Sequence, residues 1–339
     1  MSGSVLHWTA MVPLLFVAAS AAAQSANGAP ADASKPAEKS ERATWITLGT
    51  GGGPQIRQKR SQPANALLVN GAVYLFDMGA GTLHRFIAAG LRLNQLRAAF
   101  LSHHHIDHNA GIAPVLMHRW QQAPKAPPLI VLGPPGSKAM VDGILTGNRS
   151  TELSPVTQEG RQKPELASSS VGTDLPLATP EPIEIYRDEN VRILAIVNTH
   201  YNFPAGSEPA RVSRSYAFRA ETSDRSFVYT GDTGPSEAVT RLANGADVLV
   251  AEVMDPAAMQ RVAERNELVS PEAFMRHMLE DHLTPEEVGK LAAAANVQEV
   301  VLTHIVPGFD RETSTAAYSE GVREYFTGKI TVADDLERF

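Results

Sequence analysis

Short apolar runs broken by turn residues begin at residue 45, and the period changes along the chain. Trp45 to Leu48, Ala66 to Val69 and Val73 to Phe76 read as strands, and Asn70-Gly71 between the last two reads as a tight hairpin turn. A helical period follows over Leu83 to Ala89 and stops at Gly90. The run Ala98 to Leu101 returns to strand, Ala110 to Gln121 to helix, and Leu129 to Leu132 to strand, ended by Gly133-Pro134-Pro135-Gly136. Residues 150 to 182 are rich in Ser, Thr, Pro and Gln with weak periodicity, and predict a surface insertion or flap.

Strands resume at Val191 to Val197, Ser215 to Ala220, Ser226 to Tyr229, Val248 to Ala251 and Glu299 to Leu302. Helices are predicted near Ser236 to Leu242, Pro271 to Leu279 and Pro285 to Ala295. The last opens with Thr284-Pro285-Glu286-Glu287, a capping box with proline at the first helical position. Strand runs at the start of both halves, with helices interleaved, predict an α/β protein of two sheets packed face to face with helices outside.

Composition narrows this little, and the amino terminus narrows it more. The 339 residues are 43% hydrophobic and 20% charged, ordinary for a globular enzyme, with a formal charge of -7. An acidic balance disfavours a protein that grips nucleic acid along its phosphates. Trp8 to Ala19 is an apolar run too short for an ordinary membrane span, followed by Ala21-Ala22-Ala23. Residues 1–23 therefore predict a signal peptide cut after Ala23 and a periplasmic or secreted product, with no stable membrane insertion once it is removed. The segment before the run has no Lys or Arg, which leaves an uncleaved anchor as the rival. Residues 24–43 read as a flexible linker, and 44–339 as one catalytic domain carrying the 150–182 insertion. The chain has no cysteine, so it has neither disulfides nor thiolate ligands for a metal.

Chemistry concentrates at Leu101-Ser102-His103-His104-His105-Ile106-Asp107-His108. Imidazole nitrogens and a carboxylate suit zinc, and residues two apart on an extended segment point the same way. His103 and His105 can therefore share one ion, while Asp107 and His108 on the following turn can face a second. His104, between them, should point away. Three further strand ends carry one donor each: Asn198-Thr199-His200, Thr230-Gly231-Asp232-Thr233-Gly234 and Thr303-His304. Taken singly, each suits an ordinary turn or surface residue. His84, His118 and His277 read as helix-surface residues.

The pattern His-x-His-x-Asp-His resembles the signature of the metallo-β-lactamase superfamily, and the later donors match the remaining ligands of that family in order. The resemblance implies an αββα four-layer sandwich and two Zn2+ ions, with Mn2+ or Fe as alternatives. It implies that His103, His105 and His200 bind one ion, that Asp107, His108 and His304 bind the other, and that Asp232 bridges them. Leu48-Gly49-Thr50-Gly51-Gly52-Gly53-Pro54, Arg57 and Leu75-Phe76-Asp77-Met78-Gly79 resemble the ribonuclease Z and arylsulfatase-like branch. The glycine run is no nucleotide loop, since no Gly-Lys-Ser/Thr follows. Asp77, at a strand end beside the histidine loop, should hold a ligand in place.

Asp247 to Glu252 and Asp281-His282-Leu283-Thr284-Pro285-Glu286-Glu287 resemble the same branch, with a departure at Ala251, where many relatives have His. There Glu252 and His282 are implied as a catalytic pair, with Asp107 beside the nucleophile. The implied activity is metal-bound hydroxide attack on a small anionic ester, a phosphodiester or an arylsulfate. Three alternatives stay open: a ribonuclease Z-like phosphodiesterase on RNA, a lactone or β-lactam hydrolase, and a zinc-binding protein without turnover. Scattered basic residues (Lys138, Arg149, Arg161, Lys163) disfavour the basic arm that grips tRNA in ribonuclease Z. Arg119-Trp120 and Pro127 to Gly136 look closer to the arylsulfatase-like members. The expected partner is the ester substrate, with nucleic acid disfavoured and a homodimer allowed.

Overall fold

The computed structural model describes residues 42–154, 163–265 and 270–339. The predicted signal peptide and nearly all of the linker lie outside the described residues. The first half begins with β1 (Thr44–Gly49), β2 (Ala64–Val69), β3 (Ala72–Met78), α1 (Thr82–Ala88) and β4 (Leu96–Phe100). It continues with α2 (Ile106–Asn109), α3 (Ile112–Gln122), β5 (Leu129–Gly133), α4 (Ser137–Gly147), α5 (Arg149–Glu152) and β6 (Ser170–Asp174). The second half opens with β7 (Ile183–Arg187), β8 (Arg192–Val197), α6 (Glu208–Val212), β9 (Tyr216–Glu221), β10 (Ser226–Tyr229) and α7 (Glu237–Ala243). There follow β11 (Val248–Met254), α8 (Pro256–Ala263), α9 (Pro271–Asp281), α10 (Pro285–Ala294), β12 (Glu299–Val306), α11 (Ala316–Arg323), β13 (Lys329–Val332) and β14 (Glu337–Arg338).

Two seven-stranded sheets result, ordered β14-β1-β2-β3-β4-β5-β6 and β13-β12-β11-β10-β9-β8-β7. In the first, β1, β2 and β3 pair antiparallel and β3 to β6 parallel. The second repeats the scheme, antiparallel from β7 to β10 and parallel from β10 to β13. The β2–β3 turn is Asn70-Gly71, both with positive φ (50° and 79°), as that hairpin needs.

An aromatic-rich layer fills the space between the sheets, with Trp45, Phe76, Phe100, Phe218, Phe227 and Tyr229 all buried. Trp45 places its ring centroid 4.9 Å from Phe76 and satisfies its indole N–H on Asn65 Oδ1 at 3.2 Å. Two outer cores seal the far faces, one under α1, α3 and α4, the other under α7, α10 and α11. This is the αββα sandwich. No helix among the described residues is long and apolar enough to cross a membrane.

The stretch 150–182 is not simply an insertion. It contains β6, which extends the first sheet beside β5. Its residues, Ser170-Val171-Gly172-Thr173-Asp174, show no apolar run because an edge strand buries little, here Ser170 and Gly172. Gly172 is required by packing: a β-carbon there would sit 2.7 Å from Lys138 Cα of α4. Residues 155–162 lie outside the described ones. Arg119 proves structural: it is buried, and Nη2 donates to the carbonyls of Leu96 at 3.2 Å and Pro127 at 2.8 Å.

Candidate metal centre

The parallel strands of both sheets end at one edge of the sandwich, and the donors gather there. β4 delivers His103 to His108, while β8, β10 and β12 of the second sheet deliver His200, Asp232 and His304. His304 is a bulge: the register between β11 and β12 shifts past Glu252, His304 has φ 44°, and its ring turns toward the centre.

Two sets of donor atoms form. In the first, His105 Nδ1 lies 3.0 Å from His103 Nε2 and 3.1 Å from His200 Nε2. Asp232 Oδ2 stands 3.9 Å from His103 Nε2 and 4.0 Å from His200 Nε2. In the second, Asp107 Oδ2 lies 3.5 Å from His108 Nε2 and 3.4 Å from His304 Nε2. Asp232 closes this set too, with Oδ1 3.3 Å from His108 Nε2 and Oδ2 3.1 Å from His304 Nε2. Ligands about 2.1 Å from a tetrahedral ion stand roughly 3.4 Å from one another, so these spacings fit divalent metals. The buried atoms His108 Nε2, His304 Nε2 and Asp232 Oδ1 have no hydrogen-bond partner, which is costly unless a cation takes them up. The donor set, imidazole plus carboxylate without sulfur, suits zinc or another divalent ion.

The backs of the His108 and His200 imidazoles are fixed. Asp77, buried with φ 59°, accepts from His108 Nδ1 at 2.7 Å, Ser102 Oγ at 2.7 Å, Ser102 N at 2.7 Å and the Tyr229 hydroxyl at 2.8 Å. His200 Nδ1 donates to the Asp281 carbonyl at 2.9 Å. Gly53 N–H donates to Asp107 Oδ2 at 3.1 Å. Gly52 must be glycine, since a β-carbon there would meet His304 Nδ1 at 2.6 Å and Val306 Cγ2 at 2.5 Å.

Protonation divides the two sets. Burial holds His103 well below the usual imidazole range and His200 down at about 3, so both present free lone pairs. Burial would lower His108 and His304 as well. The carboxylates of Asp232 and Asp107, with Asp77 acting on His108, outweigh it: His108 goes well above the usual value and His304 to about 10. Burial likewise opposes ionisation of Asp107, yet His108 and His304 bring it to about 2.

Glu252 and His282 meet beside these sets, with His282 Nδ1 donating to Glu252 Oε2 at 2.7 Å. Glu252 Oε1 also accepts from the Thr233 N–H. His104 faces away and donates to the Pro135 carbonyl at 3.1 Å. His84 and His118 are exposed on helices. His277 is also exposed on a helix, α9, but there it lines the cleft over the donors, and Asp281 one turn later holds its Nδ1 at 2.6 Å. An i,i+4 His–Asp pair was visible in the chain; the face it presents depends on how α8 and α9 dock.

The cleft holds about 520 Å³ and is lined by donors on one side and by apolar side chains of α8, α9 and the β12 end on the other. Arg57 lies at its rim, stacked 5.1 Å from the Phe309 ring centroid and donating to the Pro307 carbonyl at 3.0 Å.

Residues 68–305 match the family model described as a beta-lactamase superfamily domain. A ribonuclease Z of Mycobacterium sp. (strain KMS) is 30% identical over 301 residues, covering 86% of this chain and 94% of that protein. A ribonuclease Z of Mycolicibacterium gilvum (strain PYR-GCK) is 29% identical over 306 residues, covering 86% and 94%. Among solved structures, the short form of human tRNase Z superposes with a TM-score of 0.60 at 20% identity, covering 87% of this chain and 98% of that one.

Proposed function

We propose that this chain, which belongs to the metallo-β-lactamase superfamily and to its ribonuclease Z branch, hydrolyses phosphodiesters with the help of two divalent metal ions. The observation that carries the reading is the pair of donor sets sharing Asp232 under a cleft walled by a proton donor. His103, His105 and His200 would hold one ion, Asp107, His108 and His304 the other, with Asp232 between them. Ions held there lower the pKa of bound water and offset charge on the non-bridging oxygens of the ester. His282 would protonate the leaving oxygen. Burial alone would depress its pKa, but the Glu252 carboxylate outweighs that and raises it, which favours the protonated ring an acid needs. Glu252 also fixes the ring, so that the free edge of His282 serves the cleft.

RNA is the substrate favoured by relatives named ribonuclease Z, which weigh weakly against the expectation that nucleic acid is disfavoured as a partner. The cleft favours a second reading, a small diester: Arg57 is the one fixed positive charge among its lining residues, and a polyanion needs several. Nothing supports an arylsulfate over either. Export is part of the proposal, resting on Trp8 to Ala19 and the alanines after it; a product beginning at Gln24 would support it, and one retaining Met1 would not.

Zinc-loaded protein should turn over bis-p-nitrophenyl phosphate and a 3′-extended RNA or one of the two, with p-nitrophenyl sulfate as comparison and His105→Ala as control. Loss of diester turnover in His105→Ala supports the reading. Inactivity on both diesters with two metals bound overturns it.

A further inference from the structure

The apolar wall of the cleft is built from Met259 and Val262 of α8, Phe274 and Met278 of α9, Val306 at the end of β12 and Phe309 beyond it. Helix–helix packing accounts for Met259 and Met278, each 6% exposed. Val262 and Phe274 pack against that cluster but stay only partly buried, and their remaining surface lines the cleft. An apolar wall kept in water is costly unless it has something to cover.

The wall is rigidly joined to the chemistry. Asp255 caps α8 through the N–H groups of Ala257 and Ala258, and Ser270 caps α9 through Ala273. The last residue of α9, Asp281, accepts from His200, and the next, His282, is pinned to Glu252. Met254 N–H, just before α8, donates to the Leu283 carbonyl at 2.8 Å. The wall therefore keeps a fixed position on the side of His282, where the leaving oxygen is protonated. A volume near 520 Å³ suits one small ester, not a folded polymer.

We infer that this wall receives the departing alcohol, and that the substrate is a small phosphodiester whose leaving group is aryl or medium-length alkyl. The inference rests on the phosphodiesterase reading above, and supplies its substrate class. The test is calorimetric binding of n-alkylphosphonates, methyl through hexyl, to the metal-loaded full chain, beside turnover of bis-p-nitrophenyl phosphate. Each methylene that reaches the wall should tighten Kd by about fourfold. Phe274→Ala should flatten that dependence, and so should Val262→Thr, which keeps the shape and exchanges one methyl for a hydroxyl. Equal affinities along the series, or an unchanged slope in both variants, would overturn the inference while diester turnover stood. A steep slope without diester turnover would keep the wall and overturn the phosphodiester reading instead.

Discussion

Asp77→Asn is the sharpest probe of how the second donor set is held. The substitution keeps the volume, and Asn tolerates the φ of 59° that Asp77 adopts, so the backbone is left unchanged. What changes is the count of acceptors. The carboxylate takes four hydrogen bonds of 2.7–2.8 Å, from Ser102 N, Ser102 Oγ, His108 Nδ1 and the Tyr229 hydroxyl, with no access to water. An amide has one oxygen. If it faces the three donors on the Oδ2 side, its NH2 meets the Ser102 N–H, and a buried donor loses its partner at a cost of about 1–3 kcal/mol. The three remaining bonds lose their charge assistance, about half their strength. Together these predict a loss of roughly 3–5 kcal/mol in folding stability. His108 also loses the carboxylate that orients it, which should weaken metal affinity by about 10- to 100-fold at the set containing Asp107 and His304. The assay is a competitive chelator titration with thermal unfolding in EDTA. Wild-type affinity for both ions together with an unchanged metal-free melting point would refute the reasoning.

Gly52→Ala should cost about 1–3 kcal/mol and reduce metal content, because the new methyl would displace the His304 ring or Val306; circular dichroism melts and metal analysis read both. Metal binding should release protons around pH 7.5, since the carboxylates raise the proton affinity of His108 and His304 in the metal-free centre; titration calorimetry in buffers of different ionisation enthalpy counts them, and a count near zero would contradict the protonation scheme. The sign for stability follows from the raised value: the contribution of His304 to the metal-free fold is complete below about pH 6.5 and lost as pH rises through about 10. Metal-free protein should accordingly melt lower at pH 10 than at pH 7, and an equal or higher melting point at pH 10 would count against it. His282→Gln should lower kcat for diesters with poor leaving groups more than for p-nitrophenyl esters, which leave without a proton; an equal loss for both would remove His282 from the role of acid.

Much of this organisation was legible because two periods are hard to confuse. The hairpin over residues 64–78 announces itself by two short apolar runs around Asn70-Gly71, and β11 by an apolar run, Val248 to Ala251, buried on both faces. β6 was illegible because an edge strand under a helix needs small residues, not apolar ones. α4 follows a Gly-Pro-Pro-Gly turn and carries glycines at 143 and 147, which blur a helical period. α8 was missed although Asp255-Pro256 is a helix-start signature, fulfilled in the cap. At the centre, donor identities were readable at strand ends, and Asp77 was readable as a residue that holds a ligand. The apolar wall was not, because Met259, Val262, Phe274 and Met278 look like core positions until the α8–α9 pair is docked.

The arrangement has a consequence for stability that neither half of the chain carries alone. His103 and His105 come from the first sheet, and His200 and Asp232 from the second; Asp107 and His108 come from the first, and His304 from the second. Each donor set therefore straddles the two sheets, which are also joined by the aromatic layer between them, by the bridge from Gly51 to Ile305 and by the hydrogen bond from the Tyr229 hydroxyl to Asp77. An ion held by either set joins the halves, so its binding free energy becomes folding free energy. At a thousandfold excess over Kd each ion would add about 4 kcal/mol. Two ions, at roughly 2–4 °C per kcal/mol in a domain of this size, should raise the melting point by on the order of 15–30 °C over EDTA-treated protein. A shift of only a few degrees under saturating metal would mean that the sheets are already locked and that the donors do not couple them.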